Sequence, residues 1–344
     1  MTSLALDVEN LVVRHHGPGG AVTAVDGVSL EVPVGHAVGL VGESGSGKSS
    51  LARALVGLTP YDGRVLVGGR VAGGRTVRQR RRLARHVQMV FQDPDTALDP
   101  RMTVHRTLAE AARAVAKATS RGSARERTTE LLQMVGLDPE LANRLPSRLS
   151  GGQRQRVALA RALAVGPGTL IADEITSALD ASSQAAILGL VRDLRDRLGL
   201  SLLFISHQLT AVRYLSDVVA VMYLGRIVET APAGTLLSAP RHPYTRALVA
   251  SAPRLRPAPA VWAGPDAAGV INHADSLGFA PPLLLPGDPA DPLDPPTGCR
   301  FHPRCPFGPS RVPGRSVCAE LTPRLAPPPG GGPGQVACHF PLRP

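Results

Sequence analysis

The sequence predicts an α/β fold, and three patterns in residues 4–250 support that prediction. Short apolar runs of strand length alternate along the chain with Ala-, Leu- and Arg-rich runs that are compatible with helices. A glycine-rich loop joins the apolar run 36–41 to the helical run 51–57, in the order strand, loop, helix. Residues 4–35 instead alternate like short strands interrupted by glycines and Pro33, a pattern typical of antiparallel hairpins.

The glycine-rich loop has the full spacing of a phosphate-binding loop. In such a loop, successive backbone N–H groups and the start of the following helix surround a triphosphate. Lys48 would neutralise the β and γ phosphates, and the hydroxyl of Ser49 would hold Mg²⁺. The predicted nucleotide-binding residues are Gly42, Glu43, Ser44, Gly45, Ser46, Gly47, Lys48, Ser49 and Ser50.

The remaining predicted elements continue the alternation of strands and helices. Strands are expected at 63–68, 86–91, 169–172 and 201–205, with a hairpin at 218–228. Helices are expected at 75–85, 103–135, 138–145, 150–164 and 182–198. We interpret the basic helix 75–85 as a solvated face rather than a nucleic-acid site, because no aromatic side chains interleave its arginines to stack on bases.

Chemically active side chains follow three of these strands. Asp173 can complete a Mg²⁺ shell, and Glu174 can polarise the attacking water as a general base. A pair of carboxylates at a strand end is a weak signal alone, because such pairs are common. His207 is predicted to contact the γ-phosphate, with a satisfied core or surface histidine as the alternative. Gln92 is predicted either to complete the Mg²⁺ and water shell or to sense its occupancy.

A second anion-binding helix start is predicted within the run LSGGQ, residues 149–153. Its serine would cap the helix, and its glycines allow close approach of the backbone to a ligand. One nucleotide in one subunit needs a single cradle of this kind. The second is therefore predicted to cover the γ-phosphate of a nucleotide bound by another copy, through Ser150, Gly151, Gly152 and Gln153.

Composition bounds the rest. Hydrophobic residues make up 43% of the chain and aromatic residues only 3%, so the core is expected to consist of Ala, Val and Leu. The net charge of +11 favours anionic partners without choosing among nucleotide, nucleic acid and membrane surface. The first ten residues lack a basic segment, and no apolar run approaches the ~18 residues of a membrane span. We expect a soluble cytoplasmic protein without a signal peptide.

The four cysteines all lie at the end of the chain, as Cys299, Cys305, Cys318 and Cys338. In a reducing compartment this clustering favours a metal or cluster site over disulfides, and their spacing lacks the short C-x2-C of a zinc ribbon. Free thiols in a small proline-rich unit are the alternative. Proline becomes dense after Pro253, so residues 253–298 are predicted to form a linker or extension.

Together these motifs resemble the ATP-binding subunit of an ABC transporter over residues 4–250. The resemblance rests on the phosphate loop, Gln92, LSGGQ, 171–174, 177–180 and His207. Segments 91–104, 242–248, 298–306 and 336–339 resemble oligopeptide/dipeptide importers, which extends the match over nearly the whole chain. It implies an ABC-type domain at 1–252, with a mixed sheet core, an antiparallel β subdomain and a helical subdomain at about 95–160, then the extension 253–298 and an irregular cysteine-containing region at 299–344.

The resemblance also implies residue roles. Lys48 and Ser49 bind phosphate and Mg²⁺, Asp173 supports Mg²⁺, and Glu174 is the catalytic base. His207 stabilises the transition state, Gln92 senses the γ-phosphate and faces the permease, and Asp180 communicates between the two sites. Two positions depart from the family pattern: His15 takes the place of the aromatic residue that stacks on adenine, and Ile175 replaces a proline after the catalytic glutamate.

The implied cofactors are ATP and Mg²⁺, with a [4Fe–4S] cluster as the candidate occupant of the cysteines. The implied partners are membrane permease subunits, a second ABC ATPase subunit and, indirectly, an extracytoplasmic solute-binding protein, with no nucleic acid. They would place the chain at the cytoplasmic face of the cell membrane. Peptides are the expected cargo, with nickel or another small solute as the alternative. A soluble ABC ATPase acting on nucleic acid or ribosomes has only the positive charge in its favour, and intact Glu174 and His207 argue against a silent partner subunit.

Overall fold

The computed structural model describes residues 3–17, 20–72, 76–113, 121–252 and 290–343. An antiparallel sheet of four strands comes first in the chain, in the order β2-β1-β4-β5. Its strands are β1 (Leu4–Gly17), β2 (Gly20–Pro33), β4 (Asp62–Val67) and β5 (Arg70–Val71). The antiparallel pairing expected in residues 4–35 is confirmed, but the short separate strands expected there were wrong, because two long strands cover the segment. Register shifts between β1 and β2, such as the one between Val8 and Leu11, absorb the interruptions without ending either strand.

The second sheet has seven strands and forms the centre of the protein, in the order β11-β10-β9-β3-β8-β7-β6. Strands β3, β6, β7, β8 and β9 run parallel, whereas β10 and β11 are antiparallel additions at one edge. Every residue of β3, β7 and β8 is buried, as expected for parallel strands covered on both faces. The strands are β3 (Ala37–Val41), β6 (Val87–Val90), β7 (Thr169–Asp173), β8 (Ser201–Ile205), β9 (Val218–Tyr223), β10 (Arg226–Pro232) and β11 (Gln335–Val336).

Eleven helices are present in the described part of the chain, and the expected helices 75–85, 150–164 and 182–198 are confirmed. The expected helix 103–135 is observed as α4 and α5, and residues 114–120 between them lie outside the described residues. The expected helix 138–145 was wrong: it is a 3₁₀ turn, Pro139–Asn143, because Pro146 follows before a full helix can form. The helices are α1 (Lys48–Leu55), α2 (Val77–Leu83), α3 (Pro94–Ala97), α4 (Val104–Arg113), α5 (Arg121–Met134), α6 (Gly151–Leu163), α7 (Ala181–Leu198), α8 (Leu209–Leu215), α9 (Ala233–Ser238), α10 (Pro243–Ser251) and α11 (Val317–Glu320).

The core consists of two hydrophobic clusters on opposite faces of the central sheet. In β8, Leu202 and Phe204 belong to the cluster that includes α4 to α8, whereas Leu203 and Ile205 belong to the cluster shared with α1 and the antiparallel sheet. This alternation follows the period of two along a strand. Ala, Val and Leu dominate both clusters as predicted, but the largest fully buried side chains are aromatic, namely Tyr223, Tyr244, Phe204 and Phe301.

The cysteine-containing tail packs on the central sheet. Its strand β11 pairs with β10, and Phe301 is 1% exposed within the larger hydrophobic cluster. Residues 253–289 of the predicted extension lie outside the described residues. In the described part of the chain, no helix is long and apolar enough to cross a membrane.

Candidate functional site

The phosphate loop joins β3 to α1, and the residue directly before α1 must be glycine. Gly47 has φ +103°, and a Cβ atom there would lie 2.0 Å from the backbone oxygen of Ala24. Helix α1 starts directly afterwards, with the N–H of Leu51 donating to the carbonyl of Gly47 at 2.9 Å. The N-terminus of α1 therefore opens into the loop, which is the arrangement that binds anions.

Lys48 lies inside the loop with only 5% of its surface exposed. Its Nζ donates to the carbonyl oxygens of Gly42 (2.9 Å) and Glu43 (2.7 Å) and to Oγ of Ser46 (3.2 Å). Burial lowers the pKa of Lys48, and the carboxylates of Glu174, Asp173 and Glu43 oppose that shift. The ammonium group is thus positioned by the loop itself, at the mouth of the anion site.

Asp173 ends β7 beside the start of α1. The hydroxyl of Ser49 donates to Oδ1 of Asp173 at 3.2 Å. Asp173 is 3% exposed, and burial raises its pKa, while the hydrogen bond from Ser49 acts in the opposite direction. The two side chains that were expected to share a Mg²⁺ ion are therefore in direct contact, and hydroxyl and carboxylate oxygens are ligands that Mg²⁺ accepts.

The carboxylate of Glu174 is central to a group of polar side chains at the ends of β6, β7 and β8. Nε2 of Gln92 donates to one carboxylate oxygen at 3.1 Å, and Nδ1 of His207 lies 3.4 Å from the other. The backbone of Glu174 is left-handed, with φ 47°, and its N–H donates to the carbonyl of Ile205 at 2.9 Å. Three residues separated widely in the sequence thus meet at the carboxyl edge of the sheet, where ligands of open α/β sheets bind.

The residue that follows Glu174 is packed in the core. Ile175 is 2% exposed and belongs to the larger hydrophobic cluster. An apolar side chain therefore occupies the position where the family pattern has proline.

His15 lies on β1 at the other end of the phosphate loop. Its side chain is exposed, and its Nε2 is 2.9 Å from Oγ of Ser50 in α1. The structure thus places the imidazole ring beside the loop, at the boundary between the antiparallel sheet and α1.

The LSGGQ segment forms the start of α6 as predicted. Oγ of Ser150 accepts from the N–H of Gln153 (3.3 Å), and the Gln153 side chain accepts from the N–H of Ser150 (3.0 Å), so the two form a capping box. None of the hydrogen bonds or ion pairs of the described residues joins 150–153 to the phosphate loop. Arg154 instead connects α6 to the segment after Gln92 through an ion pair with Asp95 at 2.9 Å.

Asp180 caps α7. Its carboxylate accepts from the backbone N–H groups of Ser182 and Ser183, both at 3.0 Å, and from both hydroxyls. Hydrogen bonds, first from the Ser182 side chain and then from Ser183, hold the pKa of Asp180 well below its usual range. The carboxylate therefore accepts its hydrogen bonds from the start of α7 in its own copy of the chain.

Two residues of this neighbourhood were missed by sequence analysis. The hydroxyl of Tyr244 accepts from the N–H of Glu43 at 2.8 Å, and Nη1 of Arg304 lies 3.0 Å from Oε2 of Glu43. Both lie in segments that resemble oligopeptide/dipeptide importers, but no motif or spacing in the sequence indicates that they contact the phosphate loop.

All four cysteines line a single small cavity, together with His242, Phe301, Arg315 and Phe340. The thiols are free, and burial raises the pKa of Cys299 to about 11 and that of Cys338 to about 12. Within the part of the chain that the structure describes, no three His, Cys, Asp or Glu side chains are grouped to hold a single metal ion. The convergence of the cysteines is thus observed, whereas a compact single-ion site is not.

Comparison with known proteins shows the family to which the chain is similar. A family model described as "ABC transporter" matches residues 25–177, and one described as "Oligopeptide/dipeptide transporter, C-terminal region" matches 228–268 and 280–310. A probable peptide ABC transporter ATP-binding protein of Sinorhizobium fredii is 43% identical over 98% of this chain and 90% of that protein. The di/tripeptide transport ATP-binding protein DppF of Pseudomonas aeruginosa is 43% identical over 92% of this chain and 90% of that protein.

Solved structures show the same fold. The ATP-binding cassette MJ0796, in a dimeric post-hydrolysis state bound to ADP and Pi, is 26% identical with a TM-score of 0.61, covering 66% of this chain and 98% of that one. The structure of cbiO1 from Clostridium perfringens, part of an ABC transporter complex, is 26% identical with a TM-score of 0.61, covering 69% of this chain and 92% of that one. The expected ABC-type fold is therefore confirmed, and the chain belongs to the family of ABC transporter ATP-binding proteins, which hydrolyse ATP.

Proposed function

We propose that this chain is the ATP-hydrolysing subunit of a membrane importer for di- or oligopeptides, attached peripherally at the cytoplasmic face of the membrane. The observation that carries the proposal is the position of Glu174, which contacts Gln92 and His207 beside the phosphate loop that holds Lys48. This is the arrangement needed to activate a water molecule next to a bound γ-phosphate. The peptide cargo is inferred from the names of the relatives and from the match to the oligopeptide/dipeptide C-terminal region.

In the proposed reaction, water attacks the γ-phosphorus of ATP, the bond from that phosphorus to the β,γ-bridging oxygen breaks, and ADP and inorganic phosphate are the products. Glu174 orients that water and accepts its proton. Lys48 donates hydrogen bonds to the β- and γ-phosphate oxygens in place of the loop carbonyl oxygens that it contacts in the structure. His207 donates to the γ-phosphoryl oxygens, and Gln92 reports their presence through its contact with Glu174. Magnesium held by Ser49, Gln92 and Asp173 would neutralise charge on the β and γ phosphates.

The adenine end of the nucleotide is assigned to His15. Its exposed ring lies beside Ser50, next to the loop that is to bind the phosphates. An imidazole ring stacks over less area than a tyrosine ring, so the adenine contact is expected to be weaker than one made by tyrosine.

The proposed working unit contains two ATPase subunits, either two copies of this chain or this chain with a homologue. Ser150, Gly151, Gly152 and Gln153 would close over the nucleotide held by the partner, because no hydrogen bond or ion pair of the described residues joins them to the phosphate loop of their own copy. The dimeric state of MJ0796 supports this arrangement. Membrane permease subunits would contact the segment near Gln92, and an extracytoplasmic solute-binding protein would act through them. Asp180 would connect the two sites from the start of α7.

We propose a division of the chain into an ATPase domain at 1–252, an extension at 253–298 and a cysteine-containing region at 299–344. Within the first, the helical subdomain would span about 95–160. The change to proline-rich sequence after Pro253 supports the first boundary. The position of all four cysteines after residue 298 supports the second.

We propose a [4Fe–4S] cluster as the occupant of the cysteine cavity. A single zinc ion gathers its sulfur ligands within about 2.3 Å of one centre, whereas a cluster distributes four thiolates over several iron atoms. The convergence of all four cysteines on one cavity would supply the four thiolates that such a cluster needs. Iron, acid-labile sulfide and visible absorption of anaerobically purified protein test this, with Cys305→Ser as control. Zinc in place of iron, or no metal at all, would overturn it.

The transport proposal is tested with cells that carry either this chain or its Glu174→Gln variant in place of the native gene. Uptake of a labelled dipeptide, a labelled oligopeptide and labelled nickel is measured in both. Peptide uptake that requires Glu174 supports the proposal. Nickel uptake that requires Glu174, with peptide uptake unchanged, would show that the cargo is wrong while the ATPase assignment stands.

A further inference from the structure

Glu43 in the phosphate loop is held from two sides by residues from the last third of the chain. Its N–H donates to the hydroxyl of Tyr244 at 2.8 Å. Its carboxylate accepts from Nη1 of Arg304, at 3.0 Å to one oxygen and 3.3 Å to the other. The Arg304 side chain is 10% exposed and that of Glu43 is 26% exposed, so this ion pair is partly shielded from water. Backbone and side chain of one loop residue are thus fixed together.

Tyr244 is itself rigidly placed. It is fully buried in the first turn of α10, where Nδ1 of His242 caps the helix by accepting from the N–H of Tyr244 at 3.0 Å. The buried carboxylate of Glu229 accepts from the N–H groups of Arg241 (2.7 Å) and His242 (2.9 Å). The segment that begins α10 is therefore fixed to β10, and this holds the tyrosine hydroxyl at the N–H of Glu43.

Arg304 is placed by an aromatic cluster. Phe301 packs with its ring centroid 5.3 Å from that of Tyr223 and 5.5 Å from that of Tyr244. The chain turns once as the 3₁₀ helix His302–Arg304 and delivers the guanidinium group to Glu43, with the hydroxyl of Tyr223 at 3.4 Å. Three of the few aromatic residues in the chain thus lie together directly behind the phosphate loop.

A second arginine of the same segment supports the loop indirectly. Arg300 donates to the carboxylate of Asp26 and to the carbonyl of Leu224. The neighbouring N–H of Gly225 donates to the carbonyl of Ser46 in the phosphate loop at 2.9 Å. Residues 299–305 therefore contact the loop both directly and through the β9–β10 turn.

The charge of Glu43 gives this arrangement a consequence for nucleotide binding. A carboxylate in a loop that binds a polyphosphate repels its ligand, and the repulsion is stronger where water is partly excluded. Arg304 places a positive charge against that carboxylate, with Nη1 3.0 Å from Oε2 of Glu43. We propose that Arg304 is a positioning residue of the ATP site, which cancels the charge of Glu43 and fixes the phosphate loop for binding. This inference rests on the proposed role of residues 42–50.

The test measures the dissociation constant for Mg·ATP, the KM and kcat of hydrolysis, and the melting temperature of the full-length protein. Arg304→Gln is expected to raise the dissociation constant and KM for ATP about tenfold, because it leaves an unpaired carboxylate beside the phosphates, with kcat changed less than about twofold. Adding Glu43→Gln to Arg304→Gln is expected to restore most of that affinity, since the repelling charge is then removed. The ATP affinity of Arg304→Lys is expected to lie between those of wild type and Arg304→Gln.

The matched control is Arg311→Gln, which removes an exposed arginine from the same tail and is expected to leave ATP affinity unchanged. A role of Arg304 in packing alone would make the double variant at least as defective as Arg304→Gln, and that result would overturn the inference. So would wild-type affinity in Arg304→Gln. Should Arg304→Gln fail to fold, a folded double variant that binds ATP about tenfold more weakly than wild type would overturn it equally.

A different set of binding results is expected if the proposed ATP site itself is wrong. In that case the wild-type protein would not bind ATP, or Lys48→Ala would bind it as well as wild type. Wild-type binding that is lost in Lys48→Ala but unchanged in Arg304→Gln would leave the ATP site standing and reject only the role of Arg304.

Discussion

Nδ1 of His207 lies 3.4 Å from Oε1 of Glu174, although the two residues follow different strands of the central sheet. The carboxylate is 18% exposed and the imidazole 53% exposed, so the histidine is on the solvent side of the pair. In the proposed reaction, the γ-phosphate would therefore meet His207 first, and Glu174 would orient the water from behind it. The pair predicts that substitution of either residue impairs hydrolysis and leaves binding of ATP intact.

Glu174→Gln is expected to lower kcat by about 10²- to 10⁴-fold, because an amide cannot accept the proton of the attacking water. The affinity for Mg·ATP should stay within about threefold of wild type, since the phosphate loop is unchanged. Phosphate release and equilibrium binding measure the two quantities. Lys48→Ala is the contrasting variant, expected to lose binding as well. Hydrolysis at the wild-type rate in Glu174→Gln would show that another group is the base.

His207→Ala is expected to lower kcat about 100-fold while ATP still binds, because a hydrogen-bond donor to the developing charge is lost. His36→Ala is the matched control: His36 is also exposed, and its ring bonds to the carbonyl of Val34 at 3.0 Å, away from the phosphate loop. Equal turnover in the two variants would contradict a role for His207 in the reaction.

Gly47→Ala is expected to destabilise the protein by about 3 kcal/mol or more, because a left-handed backbone conformation and a clash act together. The added Cβ would lie 2.0 Å from the carbonyl oxygen of Ala24. Gly45→Ala separates the two effects, since Gly45 also has positive φ (+77°), but a Cβ added there would meet no atom of another segment within 4 Å. It should cost about 1 kcal/mol. Urea unfolding of both variants gives the difference, and equal losses would show that the clash is relieved by movement of β2.

His242 predicts a dependence of stability on pH. Burial lowers its pKa to about 3, whereas an unfolded histidine titrates near pH 6.5, so the unfolded chain binds an additional proton between these values. Stability must therefore fall as the pH falls below about 6.5, by about 2 kcal/mol between pH 7 and pH 5 from this residue alone. His242→Asn keeps a helix-capping oxygen but does not titrate.

The variant is accordingly expected to lose about 2 kcal/mol less stability than wild type over the same interval, measured by unfolding at both pH values. The buried carboxylate of Glu229, whose pKa is raised by burial, acts in the opposite direction as the pH falls. It contacts the backbone N–H of residue 242 and not the imidazole, so its effect is shared by both proteins. Parallel pH profiles of the two proteins would contradict the prediction.

Local patterns predicted most of the fold and the group of residues around Glu174. Gln92, Asp173 and His207 follow or end apolar strands, and parallel strands bring such positions to one edge of a sheet. Ser49 reaches the same edge because it lies in the first turn of α1, after the loop that follows β3. The two long strands β1 and β2 were not predicted, because bulges let them continue through residues that usually end a strand. The 3₁₀ turn Pro139–Asn143 was mistaken for a helix because its composition favours helix and only Pro146, which follows it, prevents one.

The support of the phosphate loop could not be predicted in the same way. Glu43 and Arg304 are separated by 261 positions, and neither residue carries a periodic or spacing signal that points to the other. The contact between Tyr244 and Glu43 could not be predicted either. The capping residue His242 predicts where α10 begins, but it does not predict which group the tyrosine hydroxyl contacts. Such contacts follow only from the three-dimensional arrangement of β9, β10 and the tail.

The position of Arg304 also has a consequence for synthesis of the protein. A ribosome makes Glu43 261 positions before it adds Arg304, the arginine that holds the Glu43 carboxylate. Until then the carboxylate of Glu43 lacks this ion pair, and under the proposed role of Arg304 the affinity of the loop for nucleotide would be reduced. A nascent chain would then reach full ATP affinity only after Arg304 has been added, so that a cassette truncated before Arg304 would compete poorly for ATP with a chain that contains it.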